Sequence, residues 1–310
     1  MDTELTFCIF SFNRGKFLEN CISSIDASVA APRIYIFDDD STDHETVNVL
    51  DNLREKYEVL RPQKKSGHKH GGLYHNMQCA LELLQECELI CFLQDDTQVV
   101  RPILGSDIDA IRDVIRDNPT LAFVHPCFVR GGDEHKRPCY PKPMKDEKFF
   151  MRNDLGQSAG VYYSDLVVFS PRRLLESGWH FVDSEPANER QARELFLGMA
   201  YMWSPFAMWL PEVPAYRGKS KTLGLRLAER TRHCGFYPYK LWSQTEADRF
   251  ANRSERSLPV AEEFLSCSPE PPFKPWTYNP LSSHKLYKML NSLELAIARS
   301  MQYLRKNLRL

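Results

Sequence analysis

Along the first hundred residues, short apolar runs alternate with amphipathic stretches. Leu5–Phe12 (LTFCIFSF) is almost wholly apolar and reads as a strand covered on both faces. Phe17, Leu18, Cys21, Ile22 and Ile25 then recur at the spacing of one helix face. Arg33–Phe37 (RIYIF) predicts a second strand, which ends in Asp38-Asp39-Asp40. Thr42-Asp43-His44-Glu45 has capping-box spacing, with Thr42 as the cap, and Val47, Leu50, Leu53 and Tyr57 continue that helix. A short strand near Glu58–Arg61 leads into a polar loop that holds His68, Lys69 and His70. Leu73, Met77, Ala80, Leu81 and Leu84 mark a third amphipathic helix, and Leu89–Leu93 (LICFL) a strand that stops at Gln94-Asp95-Asp96.

Strand, helix, strand, helix predicts an α/β fold with a mostly parallel central sheet flanked by helices. Ligands of such sheets bind beyond the carboxyl ends of the strands, where the strand order switches direction. Three of the predicted strand ends carry polar clusters: Asn13-Arg14, Asp38–Asp40 and Asp95-Asp96.

The second half is less regular. Ile108, Ile111 and Val114 predict a helix, Leu121–His125 a strand, and Arg130–Gln157 a long loop. Gly160–Ser170 returns to strand character, Arg190–Met199 reads as a helix, and Phe206–Pro211 alternates like a strand. Six prolines between Leu258 and Pro280 suggest a spacer without a core of its own. The expected division is a main domain over 1–255, with halves at 1–105 and 106–255, a Pro-rich linker over 256–283, and a helix over 284–310.

Composition narrows the class. Hydrophobic residues make up 43% and charged residues 26% of the chain, a globular balance. The net charge of −1 argues against a nucleic-acid partner. Nine cysteines without paired metal-ligand spacing read as reduced thiols, and no apolar run reaches the length of a membrane span or a signal peptide, so a cytoplasmic location is expected.

An acidic pair at a strand end suits chemistry on a nucleoside diphosphate. The diphosphate gathers negative charge as it leaves, and Mg²⁺ or Mn²⁺ offsets it while bound by one or two carboxylates and the phosphate oxygens. The succession SFNRGKFLENCISSI, IYIFDDDSTD and ICFLQDDTQVVRP resembles the inverting nucleotide-sugar glycosyltransferases of family 2, which have the Rossmann-like GT-A fold. The resemblance covers residues 1–105 well and 161–198 weakly. It implies that Phe12 and Asn13 belong to the nucleotide site, with Phe12 against the base. It also implies a base contact for Asp39, a donor-site role for Asn76, a ribose contact for Asp95, and metal coordination by Asp96. Gln94 stands where many members carry an acid, which leaves the metal one protein carboxylate. The implied donor is a nucleoside-diphosphate sugar, UDP above all, and the implied acceptor a glycan or glycolipid of surface polysaccharide or glycolipid synthesis.

Such a transfer needs a carboxylate to take the acceptor proton. Asp183, Glu185, Glu189 and Glu194 are the candidates, and Glu194 in ARELFLGMA matches the family pattern best. Trp179, His180, Trp203 and Trp209 fall where the acceptor pocket is expected, and Arg226, Arg230, Arg232 and His233 form a basic cluster suited to an anion.

In the last segment, Leu286, Leu290, Leu293, Ile297, Met301, Leu304 and Leu308 form a helical stripe. Six Lys or Arg stand there against one Glu. This segment suits either the inner face of an anionic membrane, as a peripheral contact, or packing on the domain or on a second subunit.

Two other readings compete. IYIFDDDST also matches haloacid-dehalogenase-type phosphatases, with Asp38 as nucleophile and Asp40 as acid. The other is a nucleotide-sugar-binding module without catalysis.

Overall fold

A computed structural model describes residues 5–61, 72–131, 142–144, 148–151, 160–215, 221–253 and 258–307. His68, Lys69 and His70 and most of the loop expected over Arg130–Gln157 lie outside these residues.

The run Leu5–Ser11 forms β1, buried at every position. It is followed by α1 (Gly15–Ser28), β2 (Arg33–Asp38), α2 (His44–Leu53), β3 (Glu58–Leu60), α3 (Leu73–Leu83) and β4 (Leu89–Gln94). Next come β5 (Thr97–Val99), α4 (Gly105–Asp117), β6 (Leu121–His125), β7 (Lys142–Pro143), β8 (Phe149–Met151) and β9 (Val167–Phe169). The remainder is α5 (Pro171–Glu176), α6 (Glu185–Leu195), β10 (Gly198–Met202), β11 (Ala207–Trp209), α7 (Leu223–Arg232), α8 (Gln244–Ala251), α9 (Ala261–Phe264) and α10 (Lys285–Asn307).

Nine strands form one sheet in the order β3-β2-β1-β4-β9-β6-β10-β8-β7. β1 is parallel to β2 on one side and to β4 on the other, so the winding reverses between β1 and β4. That reversal opens a crevice at their carboxyl ends. β9 and β8 run against their neighbours, and the remaining strands share one direction. Apolar residues cover both faces. Leu18, Ile22, Ile25 and Ile111 pack on one side, while Met77, Leu81, Trp179 and Phe196 pack on the other.

Several elements depart from the sequence pattern. The cap of α2 is Asp43, whose Oδ1 accepts from the Thr46 amide at 2.9 Å, because Asn13 takes the Thr42 amide. α6 begins at Glu185, behind a Ser184 cap, and ends at Leu195. Of Gly160–Ser170 only Val167–Phe169 is strand, since the amides of Val161, Tyr162 and Tyr163 bond to Glu189 instead of a neighbouring strand. The Pro-rich segment is no free spacer. Val260, Leu265, Cys267 and Trp276 are buried, and bridges join Val129 to Val260 and Tyr239 to Cys267. Among the described residues no helix is long and apolar enough to cross a membrane.

Candidate active site

The predicted cluster assembles at the crevice. The register sets Ser11 beside Asp38 and Phe10 beside Gln94, so the turns that leave β1, β2 and β4 share one rim. Backbone bonds tie them together: the Asp39 amide donates to Ser11 O at 2.9 Å, and the Asp95 amide to Phe10 O at 3.0 Å. The half-buried Phe12 donates its own amide to Asp95 Oδ2 at 3.0 Å. Phe12, Asp39, Asp95 and Asp96 therefore border one cleft.

Asn13 has a different job from a ligand contact. It sits at φ 51°, and its Oδ1 accepts from the Thr42 and Asp43 amides at 2.8 and 3.1 Å. Asn and Asp tolerate this left-handed conformation better than most residues, so Asn13 can turn the chain sharply and pin the next loop. Asp38 is also structural. It is fully buried, and its oxygens accept from the Ser41 amide and hydroxyl. A nucleophile sealed in this way cannot meet a phosphate ester, and the phosphatase reading falls with it.

Asp39 is half-buried and accepts from the Gly72 amide at 2.7 Å. Burial raises its carboxyl above the usual range, against the pull of that amide. A side chain at residue 72 would place its Cβ 2.1 Å from Asp39 Oδ1, so only glycine permits this approach. Gly72 opens α3, and Asn76 lies buried in the first turn of that helix.

Arg14 is the residue the sequence reading left without a role. Its Nη1 reaches Asp95 Oδ1 at 3.2 Å and Asp96 Oδ2 at 2.5 Å, and so clamps the two acids. Burial pushes the Asp95 carboxyl up to about 7, opposed by Arg14 and reinforced by the charge of Asp96. The second oxygen of Asp96, Oδ1, is buried and has no hydrogen-bond partner among the described residues. A buried carboxylate oxygen without a hydrogen-bond partner fits the chemistry of a hard divalent cation. Among the described residues no group of three or more His, Cys, Asp or Glu gathers to hold a metal.

The opposite wall comes from the second half of the chain. β11 pairs with β5, placing Trp209 opposite Thr97, and the Leu210 amide donates to Asp96 O at 2.8 Å. Arg130 lies over the Trp209 ring at 4.2 Å and over Tyr278 at 4.8 Å. β9 sets Val167 opposite Phe92, and the same register brings Asp165, two residues earlier, level with Gln94. Asp165 accepts from the Tyr74 hydroxyl at 3.1 Å and the Tyr163 hydroxyl at 2.9 Å. Burial, then the charge of Glu185, pushes its carboxyl up to about 7. Burial also raises the Glu185 carboxyl, while Arg130 pulls it down.

The four candidate bases thus separate. Glu189 is buried and spends both oxygens on the amides of Val161, Tyr162 and Tyr163. Glu194 is exposed in the last turn of α6, about 13 Å of helix rise from Glu185. No contact among the described residues ties the exposed Glu194 to the rim. Asp183 is exposed. Glu185 is the candidate whose charge acts on Asp165 and which Arg130 acts on in turn. Among the other expected contacts, Trp179 is core, packed against Phe123, Tyr163 and Phe181. Arg232 pairs with the fully buried Glu212, so it is not free for a diphosphate.

No protein-family model and no curated protein matches the chain. Solved structures similar to it include proteins in complex with UDP or GDP-Man. *S. aureus* TarS 1-349 in complex with UDP has 15% identity and a TM-score of 0.46 over 66% of this chain and 60% of that one. GalNAc-T7 with UDP, GalNAc and Mn²⁺ has 10% identity and a TM-score of 0.47 over 74% and 47%. The *Pyrobaculum calidifontis* mannosyltransferase PcManGT with GDP-Man and Mn²⁺ has 15% identity and a TM-score of 0.44 over 74% and 61%. This chain spans less than two thirds of each. At these values the likeness assigns no residue, and the roles given below rest on the geometry of this chain.

Proposed function

We propose that this protein transfers a sugar from a nucleoside-diphosphate donor, UDP-linked in the first instance, to an acceptor hydroxyl with inversion. The observation that carries the reading is the rim formed by β1, β2 and β4. There Phe12, Asp39 and the Asp95-Asp96 pair border one crevice at the reversal of strand order. Phe12 offers a face for the base, Asp39 an acceptor for its N–H group, and Asp95 an acceptor for the ribose. Asn76 borders the donor side from α3, and Asn13 holds the loop in place.

Asp96 would hold the metal, Mn²⁺ or Mg²⁺, through its unpartnered oxygen, and the ion would supply Lewis-acid stabilisation of the leaving diphosphate. Glu185 takes the proton from the acceptor hydroxyl as that oxygen bonds to the anomeric carbon and the bond to the diphosphate breaks. Asp165 is held by two tyrosine hydroxyls and serves as a positioning residue. Burial raises both carboxyls, and the charge of Glu185 adds to the rise at Asp165. Glu185 replaces Glu194 in this role because it stands at the cleft. Trp209, with Arg130 over its ring, forms the acceptor-side wall.

The test is a thermal-shift panel of UDP, GDP and dTDP, each with and without Mn²⁺, followed by donor hydrolysis. Stabilisation by a nucleoside diphosphate only when metal is present is expected, and it should vanish in Asp96→Ala. An equal shift without metal, or in Asp96→Ala, would refute the donor assignment. A metal-dependent shift with no turnover of any donor would leave a binding module.

A further inference from the structure

The exposed face of α10 is the feature that the donor and acceptor residues leave unexplained. Leu286, Met289, Leu293, Ile297 and Met301 recur at steps of three and four along Lys285–Asn307, which aligns them on one side of the helix. Each is between 51% and 67% exposed. Single exposed apolar residues are ordinary, but a continuous stripe of five long ones marks a contact surface.

Among the described residues, these five side chains stay largely uncovered by the domain. α10 docks on α7 through another face, made by Tyr287, Asn291 and Glu294. Gly224 allows the two backbones to touch, since a Cβ there would lie 2.7 Å from both the Asn291 nitrogen and the Tyr287 carbonyl. The Thr222 hydroxyl donates to Asn291 Oδ1 at 2.6 Å, and the Leu223 amide to Glu294 Oε2 at 2.7 Å. This anchor is polar and close, so the apolar side is turned away from the protein. Of the stripe expected from the sequence, Leu290 is half-buried, while Leu286, Leu293, Ile297 and Met301 stay exposed.

Charge decides between the remaining occupants. The segment 284–310 carries six Lys or Arg and one Glu, and that Glu is the residue engaged by Leu223. Lys285 and Lys288 are exposed. Joining two copies of α10 through their stripes would bring two polybasic segments together without an opposing carboxylate. An anionic bilayer reverses that balance, because it takes up the apolar side chains and attracts the cations.

We infer that α10 is an interfacial helix that lies on an anionic membrane surface, with Leu286, Met289, Leu293, Ile297 and Met301 in the acyl boundary and the domain held to one side. This inference does not depend on the donor reading and can fail separately from it.

The experiment is co-sedimentation of the full chain with vesicles of phosphatidylcholine alone or with about 30% phosphatidylserine. Binding at least roughly tenfold stronger to the anionic vesicles is expected, and it should weaken steeply as salt shortens the screening length. Leu293→Glu/Ile297→Glu should abolish binding while leaving the melting temperature unchanged, since both positions are exposed. Lys285→Ala/Lys288→Ala should weaken binding to anionic vesicles only. Absence of binding to anionic vesicles would overturn the inference. So would a dimer, seen by light scattering, that the Leu293→Glu/Ile297→Glu variant dissociates.

Discussion

Replacing Glu189 with alanine separates a structural carboxylate from a reacting one. Its two oxygens accept from the amides of Val161, Tyr162 and Tyr163 at 2.8–3.2 Å, in a buried setting. Truncation strands three amides, each at a cost of about 1–3 kcal/mol. Water entering the space offsets part of this, leaving about 3–5 kcal/mol. For a chain of this size a loss of 1 kcal/mol lowers the melting point by about 2 °C, so a fall of roughly 6–10 °C follows. Glu189→Gln keeps one acceptor oxygen and should lose about half as much. Thermal denaturation followed by circular dichroism measures both. Nucleotide affinity, read well below the transition, should match the parent protein because Glu189 is not at the donor rim. An alanine variant that melts within about 2 °C of the parent would refute the amide-anchor account. If that variant also lost transfer, the reacting carboxylate would be Glu189 and not Glu185.

Three further outcomes are expected. Gly72→Ala forces the Asp39 carboxylate aside, since the new Cβ falls 2.1 Å from its oxygen, and nucleotide affinity should drop by about tenfold with little change in melting point, as isothermal titration would show. The Asp165 carboxyl titrates near 7 in the folded protein and near 4 when unfolded, so the folded state binds the extra proton in between. Stability should therefore fall as pH rises from about 4 to about 7, and Asp165→Asn should flatten that slope in urea titrations at several pH values. Glu185→Gln should lower kcat by 10²–10⁴-fold, about the contribution of general-base catalysis, with donor affinity unchanged; an unaltered rate would remove Glu185 from the mechanism.

The donor half was legible because its signals are local. β1, β2 and β4 are apolar runs that stop abruptly at acids, and a parallel sheet brings such stops to one edge whatever the loops between them do. The acceptor half depends on contacts that the sequence does not space. Asp165 reaches the rim because β9 returns antiparallel beside β4, and Glu185 because α6 begins five residues before its apolar pattern suggests. Glu194 drew attention through its neighbours Leu195 to Gly198, a likeness of letters that says nothing about which turn of the helix meets the cleft. Prolines between Leu258 and Pro280 read as a spacer, yet Trp276 and Cys267 among them are almost fully buried. Proline density limits regular structure; it does not prevent packing.

Arg14 was passed over because a lone basic residue after a strand carries no motif, and its position changes how the acidic pair works. With both acids ionised, Arg14, Asp95 and Asp96 together carry one negative charge, which repels a diphosphate. On the proposed reading, a divalent cation on Asp96 would make the same cluster positive by one and turn repulsion into attraction. Metal and donor therefore favour each other's binding, since each removes the charge that opposes the other, and the two affinities must rise by the same factor. Arg14 is what tunes this balance. Without it, the pair would carry two negative charges, would bind the metal tightly on its own, and would hold a neutral complex with less pull on the incoming diphosphate.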